Sequence, residues 1–183
     1  MQEMDRRTVT LVLGGVRSGK SRFAVELARR FSRVAFVATA KASDEEMVDK
    51  IRRHRLERPE SWRTIEEPLG LARVMNEDAA LYDLLLVDCL TLFAANLLDA
   101  SSDSSNVDAR IDHFLDALRR TSASVVLVSN EVGSGVVPAY RAGRRFRDLL
   151  GEINQKVAAI ADNVVLLVAG LPVTIKGQIG VPS

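Results

Sequence analysis

Near the start of the chain, Gly14-Gly15-Val16-Arg17-Ser18-Gly19-Lys20-Ser21 fits the pattern G-x-x-x-x-G-K-[ST], and these residue types at this spacing suit a polyphosphate. The glycines let backbone N–H groups turn inward around the phosphates, Lys20 reaches the outer ones, and the Ser21 hydroxyl is placed to ligate Mg²⁺. The apolar run Val9 to Leu13 precedes the motif. Phe23, Ala24, Leu27, Ala28 and Phe31 follow it at helical spacing over Arg22 to Phe31. Strand, glycine loop and helix therefore agree, with the positive end of the helix facing the anion.

Three more constellations carry chemistry, each with a plainer alternative. Asp88 ends the apolar run Leu84 to Val87, where a phosphate-loop enzyme places an acid to hold Mg²⁺ opposite the loop serine; the alternative is a cap for the helix containing Leu92, Phe93 and Leu97. In the segment Ile51 to Pro68, His54 lies among five arginines and one tryptophan. A neutral imidazole attacks phosphorus through a ring nitrogen, and guanidinium groups stabilise the phosphate charge, so the set suits covalent nucleotidyl transfer; the alternative is a solvated helix face. Ser43 and Glu46 form a capping box for a helix beginning near Asp44, on which Met47, Ile51 and His54 share a stripe. Finally, Ser129 to Pro138 reads as a substrate loop or as a simple tight connection.

The elements that must position these residues are legible as alternating strands and helices. Val9 to Leu13, Val34 to Ala38, Leu84 to Val87 and Val125 to Val128 are continuous apolar runs, as strands covered on both faces are. Val164 to Ala169, Gly170-Leu171-Pro172 and Val173 to Lys176 predict a hairpin, with the proline pushing the last strand to an edge. Helical stripes cover Val107 to Leu118 and Tyr140 to Ala161. The expectation is a single α/β domain over 1–183: a mainly parallel sheet, helices on both faces and an antiparallel edge hairpin at the C-terminus. Ligands of such sheets lie beyond the carboxyl ends of the strands. Ser101 to Asn106 reads as a flexible surface loop, and no internal repeat is visible.

Composition narrows the function classes. At 183 residues and 47% hydrophobic content the chain can bury one good core, and a net charge of +1 gives no global field for nucleic acid, so no nucleic-acid partner is expected. Arg141, Arg144, Arg145 and Arg147 read as the solvated side of a helix whose other side is apolar. The lone cysteine, Cys89, beside a buried strand end, suits packing more than catalysis. The polar start is no secretory signal and no apolar segment approaches the roughly 18 residues of a membrane span, so a cytoplasmic location is expected.

Taken together these segments resemble the bifunctional adenosylcobinamide kinase/adenosylcobinamide-phosphate guanylyltransferase family of cobalamin biosynthesis, from about Thr8 to Lys176. The resemblance rests on Gly14 to Arg22, on His54-Arg55 to Glu66-Glu67-Pro68, on Val87-Asp88-Cys89-Leu90-Thr91-Leu92 and on Asn130 to Pro138. It implies a RecA-like P-loop domain and a two-step enzyme. With ATP or GTP it would phosphorylate the aminopropanol hydroxyl of adenosylcobinamide, a corrinoid; it would then transfer GMP from GTP onto that phosphate, releasing pyrophosphate. The resemblance also implies a covalent guanylyl-histidine at His54, with Lys20 as the other catalytic residue. The nucleotide site would comprise Gly14 to Ser21, Thr39, Ala40, Lys41, Arg55, Leu56, Glu57, Arg58, Glu66 and Asp88, with Mg²⁺ at Ser21 and Asp88, in a homotrimer. Val16, Ser134 and Phe93-Ala94-Ala95-Asn96 depart from the usual family pattern without removing a functional group. The competing readings are a P-loop kinase of another small hydroxyl compound, with His54 structural, and a RecA-like ATPase or GTP-responsive binding module.

Overall fold

Every apolar run read from the sequence is a strand in the computed structural model, which describes residues 7–41, 58–101 and 103–179. The strands are β1 (Val9–Gly14), β2 (Val34–Ala38), β3 (Arg63–Glu66), β4 (Leu84–Asp88), β5 (Ser124–Asn130), β6 (Asn163–Val168) and β7 (Leu171–Lys176). They form one seven-stranded sheet in the order β3-β2-β4-β5-β1-β6-β7. All neighbours pair parallel except β6 with β7, the edge hairpin, where Pro172 faces Leu167. A proline is tolerated there because the outer side of an edge strand needs no N–H.

The continuous apolar runs are explained by burial on both faces. Leu11, Val37, Leu85, Val87, Val125 and Leu127 point to one side. There they meet α3 (Leu90–Ala100), α4 (Ser104–Arg120) and α5 (Arg141–Ile160) through Phe93, Leu97, Ile111, Phe114, Ile153 and Val157. Phe93 and Phe114 meet edge to face, ring centres 5.5 Å apart, which adds a directional contact to the area buried. The alternate residues Val12, Phe36, Leu86, Val126 and Val128 face α1 (Lys20–Ala28) through Phe23, Ala24 and Leu27. The two-residue strand period thus serves two cores at once.

Three elements differ from the sequence expectation. β3 was not foreseen: only four residues, Arg63 to Glu66, with exposed ends, give too short a pattern to stand out. Between β3 and β4 the chain turns through α2 (Leu71–Arg73), a π turn (Val74–Asp78) and a 3-10 turn (Ala79–Leu81), and this mixed winding blurs a single helical period. The polar stretch expected as a loop, Ser101 to Asn106, is partly helix, for α4 begins at Ser104. Asp103 is its N-cap and accepts from Ser105 N–H at 3.0 Å and Ser105 Oγ at 2.6 Å. Serine and aspartate are helix starters as readily as loop residues. The helix expected near Asp44 lies outside the described residues.

Candidate functional site

The strand registers collect the chemistry at one edge of the sheet. Glu66, Ala38 and Asp88 stand side by side at the carboxyl ends of β3, β2 and β4. Asp88 faces Val128 of β5, and Gly14 at the end of β1 lies between Asn130 of β5 and Leu167 of β6. Residues separated by more than a hundred positions in the chain therefore share one rim.

The phosphate loop is shaped by its glycines and by its neighbours. A Cβ on Gly14 would sit 2.7 Å from the Leu167 carbonyl oxygen, so only glycine lets β1 turn there without displacing β6. Gly19 precedes α1 with a φ of 95°, in the left-handed region. Lys20 is buried, and its Nζ donates to the Gly15 carbonyl at 2.5 Å, with Ser18 Oγ at 3.5 Å. The ammonium thus lies over the loop, near the oxygens it would exchange for phosphate. Ser21 follows in the first turn of α1, half-buried.

A second corner is built from neutral polar groups. Thr39, fully buried, donates its hydroxyl to the Cys89 carbonyl at 2.7 Å and accepts from Cys89 N–H at 2.8 Å, while its own N–H reaches the Asp88 carbonyl at 3.3 Å. Asn96, also buried, donates from Nδ2 to the Thr39 carbonyl at 2.8 Å and to the Pro68 carbonyl at 3.1 Å. The ends of β2 and β4 and the chain leaving β3 are thereby tied to α3. Neither Asn96 nor Pro68 was expected at the site; a buried amide is invisible to motif reading. Thr39 is at the rim as expected, with its side chain engaged by Cys89. Ala40 and Lys41 follow it, Lys41 exposed.

Of the two adjacent glutamates, Glu66 is exposed at the rim, whereas Glu67 is a structural acceptor. Burial alone would raise the Glu67 carboxyl, but Gly70 N–H, the Arg73 guanidinium and Leu69 N–H outweigh it and hold it below the usual range. Arg58 stacks on Phe36, its guanidinium carbon 3.6 Å from the ring centre, with Thr64 Oγ1 at 3.5 Å. The capping position of α3 is Cys89, not Asp88. Burial, reinforced by the charge of Asp88, pushes the Cys89 thiol up to about 11, which leaves it protonated and in keeping with packing. Among the expected basic face, Arg141 and Arg145 are exposed, while Arg144 Nη1 donates to the Pro138 and Ala139 carbonyls at 3.0 and 2.7 Å and so fixes the loop before α5. His54, Arg55, Leu56 and Glu57 lie outside the described residues. His113 is on α4, exposed.

Among the described residues no group of three or more His, Cys, Asp or Glu could hold a metal, and no helix is long and apolar enough to cross a membrane. One hydroxyl and one carboxylate nonetheless suit Mg²⁺, which takes few protein ligands when phosphate oxygens and water supply the rest.

The family model described as CobU, cobinamide kinase / cobinamide phosphate guanyltransferase, matches residues 10–175. The bifunctional adenosylcobalamin biosynthesis protein CobP of Pseudomonas aeruginosa is 44% identical over 169 residues, covering 92% of this chain and 97% of its own. CobU of Escherichia coli K12, bearing the same description, is 40% identical over 178 residues, covering 91% and 98%. Among solved structures, an ATPase of a type III secretion system superposes with a TM-score of 0.59 at 11% identity over 91% of this chain, which spans 56% of that protein. The RadB recombinase superposes with a TM-score of 0.50 at 17% identity over 87% of this chain and 73% of its own. Those two likenesses are of fold alone, the RecA-like P-loop fold. A family match that runs from β1 through β7, with relatives covered along almost their whole length, means that this chain belongs to the cobinamide kinase / cobinamide phosphate guanyltransferase family and is an enzyme of both activities.

Proposed function

We propose that both reactions use one phosphate-binding centre, Gly14 to Ser21, and that His54 carries the GMP between nucleotide and acceptor. The observation that bears most weight is the register that sets Asp88 and Glu66 on the same rim as the phosphate loop. In the kinase step the acceptor hydroxyl oxygen attacks the γ-phosphorus of ATP or GTP, the bond from that phosphorus to the β-phosphate oxygen breaks to release the nucleoside diphosphate, and the hydroxyl proton passes to water. Lys20 and the loop N–H groups stabilise charge on the transferring group. In the second step a neutral ring nitrogen of His54 attacks the α-phosphorus of GTP, and the bond to the β-phosphate breaks to release pyrophosphate. A phosphate oxygen of the acceptor then attacks the same phosphorus, the phosphorus–nitrogen bond breaks, and the imidazole is restored.

Mg²⁺, held by Ser21 and Asp88, would offset charge on the phosphates. Thr39, Ala40 and Lys41 would take part in the nucleotide site, together with Arg55, Leu56, Glu57, Arg58 and Glu66. The proposal includes a single domain over 1–183, a homotrimer by family resemblance, a cytoplasmic location, and no nucleic-acid partner, in line with the net charge of +1.

The test is the intact mass after incubation with GTP and Mg²⁺. One GMP should add to the wild type and to His113→Ala, none to His54→Ala, and the adduct should be acid-labile. His54→Ala should keep kinase turnover. Guanylyltransferase turnover retained by His54→Ala would falsify the histidine assignment.

A further inference from the structure

We propose that apolar side chains around the phosphate loop form a platform for the macrocycle of the corrinoid acceptor. Six large apolar residues stand exposed on three adjoining segments: Val16 (81%) on the loop itself, Val136 (96%), Val137 and Tyr140 (83%) between β5 and α5, and Val168 and Leu171 at the β6–β7 turn. Isolated exposed apolar residues are ordinary in a folded chain, but six on segments that meet at the carboxyl ends of the strands suit a binding surface.

Two backbone bonds hold the flanking segments against the loop. Glu131 N–H donates to the Gly14 carbonyl at 3.0 Å on one side, and Gly170 N–H donates to the Ser18 carbonyl at 3.0 Å on the other. The segment between β5 and α5 is also fixed at its far end. Arg144 holds the Pro138 and Ala139 carbonyls, and a Cβ on Gly143 would lie 2.8 Å from Pro138 Cβ, so the start of α5 packs tightly on that proline. A surface already fixed loses little freedom when a ligand settles on it.

The chemistry of the family reaction selects the occupant, and the inference rests on that reaction. The phosphoryl group leaves a nucleotide held by the loop and arrives on a hydroxyl at the end of a short tail, so the ring bearing the tail must lie within its reach of the loop. A corrin ring offers broad, methyl-bearing faces that gain from apolar contact, while its peripheral amides stay in water. The triphosphate, by contrast, needs N–H donors and cations, which the loop and Lys20 supply.

The experiment measures adenosylcobinamide binding by equilibrium dialysis, read from corrin absorbance, together with KM and kcat, GTP binding, and mass by light scattering. Val136→Ser/Val137→Ser, and separately Leu171→Ser, should raise the corrinoid Kd and KM about tenfold, the lower range for small apolar changes in a pocket. GTP affinity and the assembly mass should stay as in the wild type. Ile175→Ser, exposed but at the far end of β7, should change nothing. Unchanged corrinoid affinity in both rim variants overturns the platform while leaving the activity intact, and so does a drop in assembly mass, which would make this surface a contact between copies. A wild type that cannot phosphorylate adenosylcobinamide removes the activity itself, and the platform with it.

Discussion

The two edges of the sheet are stitched by different chemistry. At the amino ends of the strands, carboxylates do the joining: Asp83 takes the Arg33 guanidinium and backbone N–H, joining β2 to β4, and Asp162 takes Val9 N–H at 2.8 Å, joining β6 to β1. Ser124 bridges the middle, its N–H donating to the Asp83 carbonyl and its Oγ accepting from Thr8 N–H. At the carboxyl ends the joining groups are backbone and neutral side chains: Thr39 between β2 and β4, Asn96 between the Thr39 carbonyl and the Pro68 carbonyl beyond β3, Thr91 Oγ1 on Asn130 N–H, and Asn154 between Ser129 and the Asn130 carbonyl. Neutral stitching shapes an edge without adding fixed charges that would compete with a triphosphate and its cation. On the proposed reading one edge carries stability and the other chemistry, and substitutions should separate them.

The largest separation is expected from Lys20→Ala. Loss of a preorganised charge at a transferring phosphoryl group costs about 2.7–4 kcal/mol of transition-state stabilisation, a fall in kcat of roughly a hundredfold to a thousandfold. The melting temperature should hold, and near-normal phosphoryl transfer would mean that this edge is not where the chemistry occurs. Lys20→Arg should fail too, because a planar fork does not replace a compact ammonium.

Asp88→Asn comes next. It should raise the Mg²⁺ concentration needed for both activities and weaken Mg²⁺-dependent nucleotide binding measured by calorimetry. A lower melting temperature with unaltered Mg²⁺ dependence would place Asp88 among the structural stitches.

Asn96→Leu crosses the divide. The carbonyls of Thr39 and Pro68 would lose their shared donor in a buried corner, at about 1–3 kcal/mol for an unsatisfied group. Chemical denaturation should show the loss, and both activities should fall with it because Thr39 holds the backbone beside Asp88. Normal turnover in a destabilised variant would show that the corner only supports the fold.

The smallest effect belongs to the opposite edge. The Arg33 side chain and then its backbone N–H hold the Asp83 carboxyl below its usual range. A carboxyl lowered by folding contributes stability that is complete above its ordinary range and is lost as pH falls through the depressed value. Asp83→Asn should therefore melt slightly lower than the wild type at neutral pH, converge with it in acid, and leave both activities unchanged. This exposed pair is screened by water, so the shift should be small.

The sequence by itself determined the phosphate loop, six of the seven strands, the last two as a C-terminal hairpin, and the family. In each case the signal is local: a spacing of glycines and a lysine, an apolar run, or a residue string that recurs as a unit. The short β3 with its exposed ends, the mixed winding from Leu71 to Leu81, and the helical start hidden in Ser101 to Asn106 carry weaker local signals. Only the tertiary structure decided that Glu66 stands at the rim while Glu67 binds Gly70 and Arg73, that Asn96 joins Thr39 to Pro68, and that Glu131 and Gly170, on two distant segments, flank the phosphate loop. Those arrangements depend on strand register and on which chain segments the parallel sheet brings together, and register is set by the packing of both faces rather than by any residue's neighbours in sequence.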